Sequence, residues 1–302
     1  MPERAKRASW RRRVRSLARR TENRIVLGRG LLANRYLAAK LLPLAPDERY
    51  AVLTRSERSD LAEDGLPSPP QELWQRWGLT LETYLASGAR DARAMLDTVT
   101  ETGAVQEELG RILDFGCAEG RMLRSLHSGP ERELWGVDVN AQRIAWAQQH
   151  LVPPLRLATT TTAPHLPFAD AYFDLVYAIS VFTHISDLAD AWFLELLRVL
   201  RPGGWLYLTI HDEHAVDVLL NRYAAEGTQP EIIDLLRQVD AKTGVLAADW
   251  VYFAARADPG AEVFYRADDL VRRWSLLADL RVRKHEAIGY QTALVFQKPA
   301  AD

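Results

Sequence analysis

The chain holds one cysteine, Cys117. That excludes an intrachain disulfide and any metal site made of several thiolates, and it fits a reducing cytoplasm. It has no run of eighteen apolar residues, so no transmembrane helix is expected. It has little net charge, −2 over 302 residues, so nothing in the overall charge calls for a nucleic-acid partner. The basic N-terminus is not followed by an apolar h-region, and Arg12–Arg13 lacks one too, so no secretory signal is expected. No spacing of His, Cys, Asp and Glu suggests a metal cluster.

What is present is a globular composition, 48% apolar and 26% charged, enough for one large domain or two small ones. Residues 1–20 carry nine Lys/Arg against the single acid Glu3. They read as a solvated tail, or as an arm for an anionic membrane surface or polyanion. Residues 24–44 are amphipathic, with Leu27, Leu31 and Leu41 among arginines. Pro67, Pro69 and Pro70 mark a connector. The expected division is therefore a basic tail with a helical extension over 1–80 and a main domain over 81–302. Within 80–109 the pattern is helical, with Gly88 as a possible break between two helices.

From 111 onward strands alternate with helices. Strands are expected at 111–114, 133–138, 155–158, 173–179 and 205–210, the fourth a continuous apolar run as a buried parallel strand should be. Asn140 is a good N-cap for the helix after the second strand, and Pro202–Gly203–Gly204 reads as a turn. Residues 211–262 break the rhythm and read as an insertion with two short helices and the aromatic group Trp250, Tyr252 and Phe253. A helix and two closing strands follow. This order predicts an α/β fold: a Rossmann-like, seven-stranded, mostly parallel sheet with an antiparallel C-terminal edge and helices on both faces.

The chemistry concentrates in D-F-G-C-A-E-G at 114–120 and in Asp138, eighteen residues beyond Gly120 at the end of the next strand. A strand that stops in a small-residue loop and re-enters a helix presents backbone N–H groups to a ligand. An acid at the second strand end can accept ribose hydroxyls. A dinucleotide loop needs a third glycine where this chain has Arg121, and pyrophosphate disfavours acids such as Asp114 and Glu119. A cationic or zwitterionic ligand suits the loop better.

These residues resemble motif I of the class I S-adenosylmethionine-dependent methyltransferases, with Ala118 a mild departure from the glycine pattern. Further segments resemble the same family in order: L-P-F-A-D-A-Y-F-D-L-V at 166–176, S-V-F-T-H-I at 180–185, L-R-P-G-G-W-L-Y-L at 200–208 and G-Y-Q-T-A-L-V-F-Q-K at 289–298. The resemblance implies S-adenosylmethionine as cofactor. It implies that the backbone at Gly116, Cys117, Ala118 and Gly120 passes the methionine moiety and that Asp114 orients its ammonium. Asp138, with Val139 beside it, would take the ribose, and Ser180 and Val181 would line the transferring methyl. Thr161 stands in the segment where many members carry an adenine-binding acid. His184 and His211, just after the fourth and fifth strands, are candidate bases for an oxygen acceptor. The absence of an Asp/Asn-Pro-Pro-Tyr segment argues against nucleic-acid amino groups. A small-molecule, glycan or lipid-linked hydroxyl is the expected acceptor, with peripheral membrane contact through the basic arm left open. A cofactor-binding module without catalysis and a nucleotide-dependent oxidoreductase are the alternative readings.

Overall fold

The computed structural model describes residues 61–74, 80–257 and 260–300. The basic stretch 1–20 and the amphipathic stretch 24–44 lie outside the described residues. A short helix α1 (Gln71–Trp74) precedes α2 (Leu81–Glu101). Then come β1 (Arg111–Phe115), α3 (Arg121–His127), β2 (Glu133–Asp138), α4 (Ala141–Leu151), β3 (Arg156–Thr159) and β4 (Phe173–Ala178). The second half runs α5 (Ala189–Val199), β5 (Leu200–Asp212), α6 (Glu213–Val218), α7 (Pro230–Thr243), β6 (Tyr252–Ala257), β7 (Gly260–Tyr265), α8 (Ala267–Trp274), β8 (Asp279–Ile288) and β9 (Gln291–Gln297).

Strands β3-β2-β1-β4-β5 are parallel neighbours in that order. The antiparallel β9 pairs with β5, and β8 pairs with β9 outside it. These are the seven expected strands, with the closing pair forming the antiparallel edge. The connection from β3 to β4 returns across β1 and reverses the strand order at β1/β4, the switch point where open α/β sheets bind ligands beyond the strand C-termini.

Two apolar layers cover the sheet. Met95 and Val99 of α2, Leu123 and Leu126 of α3 and Ile144 of α4 pack on one face. Trp192 and Leu196 of α5 and Leu270 and Trp274 of α8 pack on the other, where Trp274 stacks on Phe193 with centroids 4.3 Å apart. The helix starts follow side-chain chemistry. Asn140 Oδ1 accepts the N–H groups of Gln142 and Arg143 at 3.2 and 3.1 Å, the expected N-cap. Thr80 and Thr83 exchange side chain-to-backbone bonds at the head of α2.

Three features differ from the sequence expectation. Gly88 does not break a helix: α2 runs through it, and a Cβ there would lie 2.5 Å from the Arg121 carbonyl oxygen. The glycine lets α2 press onto the start of α3. Residues 201–204 do not separate helix from strand. They bulge within β5, whose pairing steps from Phe173↔Leu200 to Leu175↔Trp205. The insertion contains a hairpin, β6–β7, that joins β5 only through His211↔Phe264 and Asp212↔Tyr265. Its Trp250 and Phe253 pack with Val216, Leu219, Ile233 and Leu236 into a small core of the insertion's own. Tyr252 instead points outward and donates to Asp187 Oδ1 at 2.9 Å.

Candidate functional site

The loop after β1 has an alternating backbone. Gly116, Ala118 and Gly120 have φ of 91°, 51° and 89°, all left-handed. That is why small residues recur at every second position: glycine adopts this region freely, and alanine does so at a cost. Gly116 is also sterically confined, since a Cβ there would lie 2.3 Å from Val181 Cγ2. The N–H groups of Gly116 and Cys117 both donate to the Val137 carbonyl, at 2.7 and 3.0 Å, which folds the loop back over β2.

Asp138 closes the loop. Its Oδ2 accepts the Ala118 N–H at 2.8 Å and its Oδ1 accepts the Asn140 N–H at 2.7 Å. Burial pushes its carboxyl above the usual value, while the backbone donors of Asn140 and Ala118 pull it down. Val139, beside it, is 56% exposed, an apolar surface at the rim. Thr160 N–H donates to the Asp138 carbonyl at 2.7 Å and ties the end of β3 alongside. Thr161 is half-buried, and its hydroxyl accepts from Ala163 N–H at 3.3 Å within its own turn.

Asp114 lies below the loop, buried, and Tyr177 donates its hydroxyl to Oδ2 at 2.8 Å. Burial raises its carboxyl from 3.8 to about 7, against the opposing pull of Tyr177 and of the Arg121 charge. Cys117 turns inward: a Cβ on Gly136 would meet its Sγ at 2.6 Å, so only its backbone faces the loop. Glu119 is also turned inward and fully buried, with Arg143 Nη1 3.6 Å from Oε2. It therefore does not face a ligand as the bare sequence suggests.

Across the rim, Ser180 follows β4 with φ 56°. Its N–H donates to Thr209 Oγ1 at 2.8 Å, Thr209 donates to Gln291 Oε1 at 2.6 Å, and Gln291 Nε2 donates to Ser180 Oγ at 2.8 Å. This closed ring locks the strand end beside Val181 and Gly116. Thr209 and Gln291 escape the sequence reading, although a threonine inside the apolar run of β5 is the signal that points to them.

The two candidate histidines part company. His184 is exposed, on a single 3₁₀ turn after β4, and its Nδ1 lies 2.8 Å from the Ala261 carbonyl. A carbonyl can only accept, so Nδ1 carries the proton and Nε2 is left as the basic nitrogen. His211 is 2% exposed, between the rings of Phe264 and Tyr290, and neither ring nitrogen has a hydrogen bond among the described residues. Burial, with the nearby His184 charge, lowers its pKa to about 3. The expectation that His211 serves as a base at the rim is corrected here: the ring is enclosed and held neutral. Asp212 is likewise structural. It caps α6 through Ala215 N–H at 3.0 Å and meets Arg283 Nη2 at 3.3 Å.

Residues 113–208, which hold the loop, Asp138 and the Ser180 turn, match the family model for a methyltransferase domain. Over these residues the chain is similar to the class I S-adenosylmethionine-dependent methyltransferases. An O-methyltransferase of Aspergillus nomiae is 34% identical over 100 residues, 32% of this chain and 44% of that protein. A malonyl-[acyl-carrier protein] O-methyltransferase of Hahella chejuensis is 32% identical over 40% of this chain and 42% of its own length. A ubiquinone/menaquinone biosynthesis C-methyltransferase of Stutzerimonas stutzeri is 29% identical over 49% and 51%. The chain thus spans about half the length of the curated relatives it matches. A solved methyltransferase from Methanosarcina mazei aligns over 68% of this chain and 98% of its own, at 20% identity and TM-score 0.46. In this methyltransferase domain the described residues hold no group of three or more His, Cys, Asp or Glu suited to a metal ion. No helix among the described residues is long and apolar enough to cross a membrane.

Proposed function

We infer that the chain methylates a hydroxyl of a small-molecule, glycan or lipid-linked acceptor, using S-adenosylmethionine. The observation that carries this reading is the loop at 114–120, bent through three left-handed residues and closed by the Asp138 carboxylate. The residues fit the cofactor. Gly116 leaves bare backbone where a Cβ would strike Val181, and Asp138 offers carboxylate oxygens at the β2 end with the exposed Val139 beside them. Asp114 would face an ammonium, Asp138 the ribose, Val139 and Thr161 the adenine side, and Ser180 and Val181 the reacting end. When bound, the cofactor supplies an electrophilic methyl group on a sulfonium.

The protein's own contribution is position and a base. In-line displacement gains most from holding both partners in register, and the Ser180–Thr209–Gln291 ring fixes the strand end where they meet. His184 Nε2, freed by the Nδ1–H bond to Ala261, is placed to take the acceptor's proton. That base favours an oxygen nucleophile over a carbon one, and two relatives quoted above are O-methyltransferases. Arg121, at the third-glycine place, disfavours a dinucleotide loop and so a nicotinamide cofactor.

The test is an acceptor screen with labelled methyl donor on fractionated soluble and membrane-lipid extracts, beside calorimetry with S-adenosylmethionine and NAD. Label in a base-stable ether supports the reading. Binding of NAD alone would sink it, and cofactor binding without transfer to any fraction would leave a binding module.

A further inference from the structure

We propose that Tyr252 and Tyr265, at the open end of the β6–β7 hairpin, are positioning residues that hold His184 in the place and the tautomer a base needs. The inference rests on the reading of His184 as the base above, and it gives the insertion a part in the chemistry.

The turn that carries His184 has little of its own to hold it. It is a single 3₁₀ turn, Phe182–His184, a form whose hydrogen bonds are poorly aligned. His184 N–H reaches the Val181 carbonyl at 2.9 Å and Ile185 N–H reaches that of Phe182 at 3.3 Å. The hairpin supplies the rest, through three hydrogen bonds to the four consecutive residues 184–187. His184 Nδ1 donates to the Ala261 carbonyl at 2.8 Å. The Tyr265 hydroxyl donates to the Ile185 carbonyl, and the Tyr252 hydroxyl donates to Asp187 Oδ1 at 2.9 Å.

The register of the hairpin places it for this. Tyr252 and Tyr265 are cross-strand partners with ring centroids 6.0 Å apart. Tyr265 also pairs with Asp212 at the end of β5, so its backbone is fastened to the main sheet. Ala261, Val263 and Tyr265 alternate along β7 and share one face, which packs in the same apolar layer as Phe182 and Ile185. Tyr265 is 1% exposed, and burial raises its phenol above the ordinary value, which keeps it a donor. The carbonyl that fixes the proton on Nδ1 therefore sits on a strand that Tyr265 ties to the next residue of the turn.

Nitrogen NMR of the histidine rings in the whole chain tests it, at about pH 8, where an ordinary imidazole is neutral. His184 is assigned by the signal lost in His184→Gln, and its wild-type ring is expected in the Nδ1–H form. Tyr265→Phe keeps the ring and removes the hydroxyl. It should lower the ratio of Nδ1–H to Nε2–H forms about 2- to 10-fold, the range for one hydrogen bond. Tyr252→Phe, at an exposed position, should lower the ratio less. Label transfer from S-adenosylmethionine to pooled soluble and membrane-lipid extract should fall about tenfold in Tyr265→Phe, and no further when that change is added to His184→Gln. An Nε2–H ring in the wild-type protein overturns the proposal. So does a ratio unchanged in both tyrosine variants, or an equal loss of transfer with and without His184. A wild-type rate of transfer in His184→Gln overturns the base reading instead, and the tautomer ratio then decides the hairpin's hold on the ring by itself.

Discussion

Asp138 and Ala118 are twenty residues apart in sequence and are joined by a 2.8 Å hydrogen bond from the Ala118 N–H to Oδ2. One carboxylate therefore sets the shape of the loop and stands where ribose hydroxyls are expected. Asp138→Ala should abolish measurable S-adenosylmethionine binding, with loss of more than about tenfold, since bonds to charged groups contribute about 1.5–3 kcal/mol each. The protein should still unfold cooperatively by circular dichroism. Unchanged affinity in a folded variant would place the ribose elsewhere.

Loop backbone can be separated from loop chemistry. Ala118→Gly relieves a left-handed alanine that costs about 1–2 kcal/mol, offset in part by the freer unfolded chain. A net gain of up to about 1 kcal/mol is expected in denaturant titration. Gly116→Ala should do the reverse, because φ is 91° and the new Cβ meets Val181. Adding Val181→Ala should recover part of the loss, and a double-mutant cycle would measure the coupling.

The buried carboxyl of Asp114 predicts a pH signature. Its folded pKa of about 7 exceeds the ordinary 3.8, so between these values the folded state binds more protons than the unfolded one. Stability then falls as pH rises from about 4 to 7, relative to Asp114→Asn, which lacks this titration. Donor affinity should move the opposite way in the wild-type protein, rising with pH through 7 as the carboxylate proposed to face the ammonium ionises. Paired thermal melts and calorimetry across pH 5–8 check both signs.

His184 and His211 should give opposite results on substitution. His184→Gln is predicted to reduce methyl transfer about 100- to 10,000-fold with cofactor affinity unchanged. His211→Phe should leave transfer nearly intact, since its ring is enclosed by Phe264 and Tyr290, with Glu262 Oε2 3.6 Å from Nδ1. The native His211 pKa of about 3 lies below the usual 6.5, so the unfolded state takes up protons first. Stability is lost as pH falls from about 6.5 towards 3, and His211→Phe should remove that loss.

Arg124 joins the segment before α1 to the cofactor half. It is 1% exposed, binds Asp64 through Nε at 2.8 Å and Nη2 at 2.7 Å, and also donates to the carbonyls of Leu66 and Pro67. Asp64→Asn should cost about 3 kcal/mol or somewhat less, because Asp64 reaches solvent while the arginine left behind does not. Faster hydrogen exchange over 61–70 is the measurement.

The parallel strands and both acids were legible because each strand is an apolar run ending in a distinct residue. Asp114 ends the β1 run and Asp138 ends β2. The β6–β7 hairpin was not, although Phe253 and Ala255 pair with Phe264 and Glu262 and the sequence between the strands holds Asp-Pro-Gly, a combination that marks hairpins. Its aromatic residues serve a local core, so their spacing resembles an irregular insertion. Gly88 misled for a similar reason: its meaning lies in Arg121, thirty-three residues away. Enclosure of His211 depends on Phe264 of β7 and Tyr290 of the β8–β9 turn, which reach it from later in the chain, and no local pattern encodes that.

The hairpin has two faces: Val263 and Tyr265 of β7 pack in the sheet layer with Trp274, while Phe253 and Phe264 pack with Leu219, Ile233 and Leu236 of the insertion. The insertion's helical segment rests on the second face, which makes that segment exchangeable. A chimera that swaps residues 219–249 for the corresponding segment of a relative should keep its grip on the methyl donor while taking on a new acceptor.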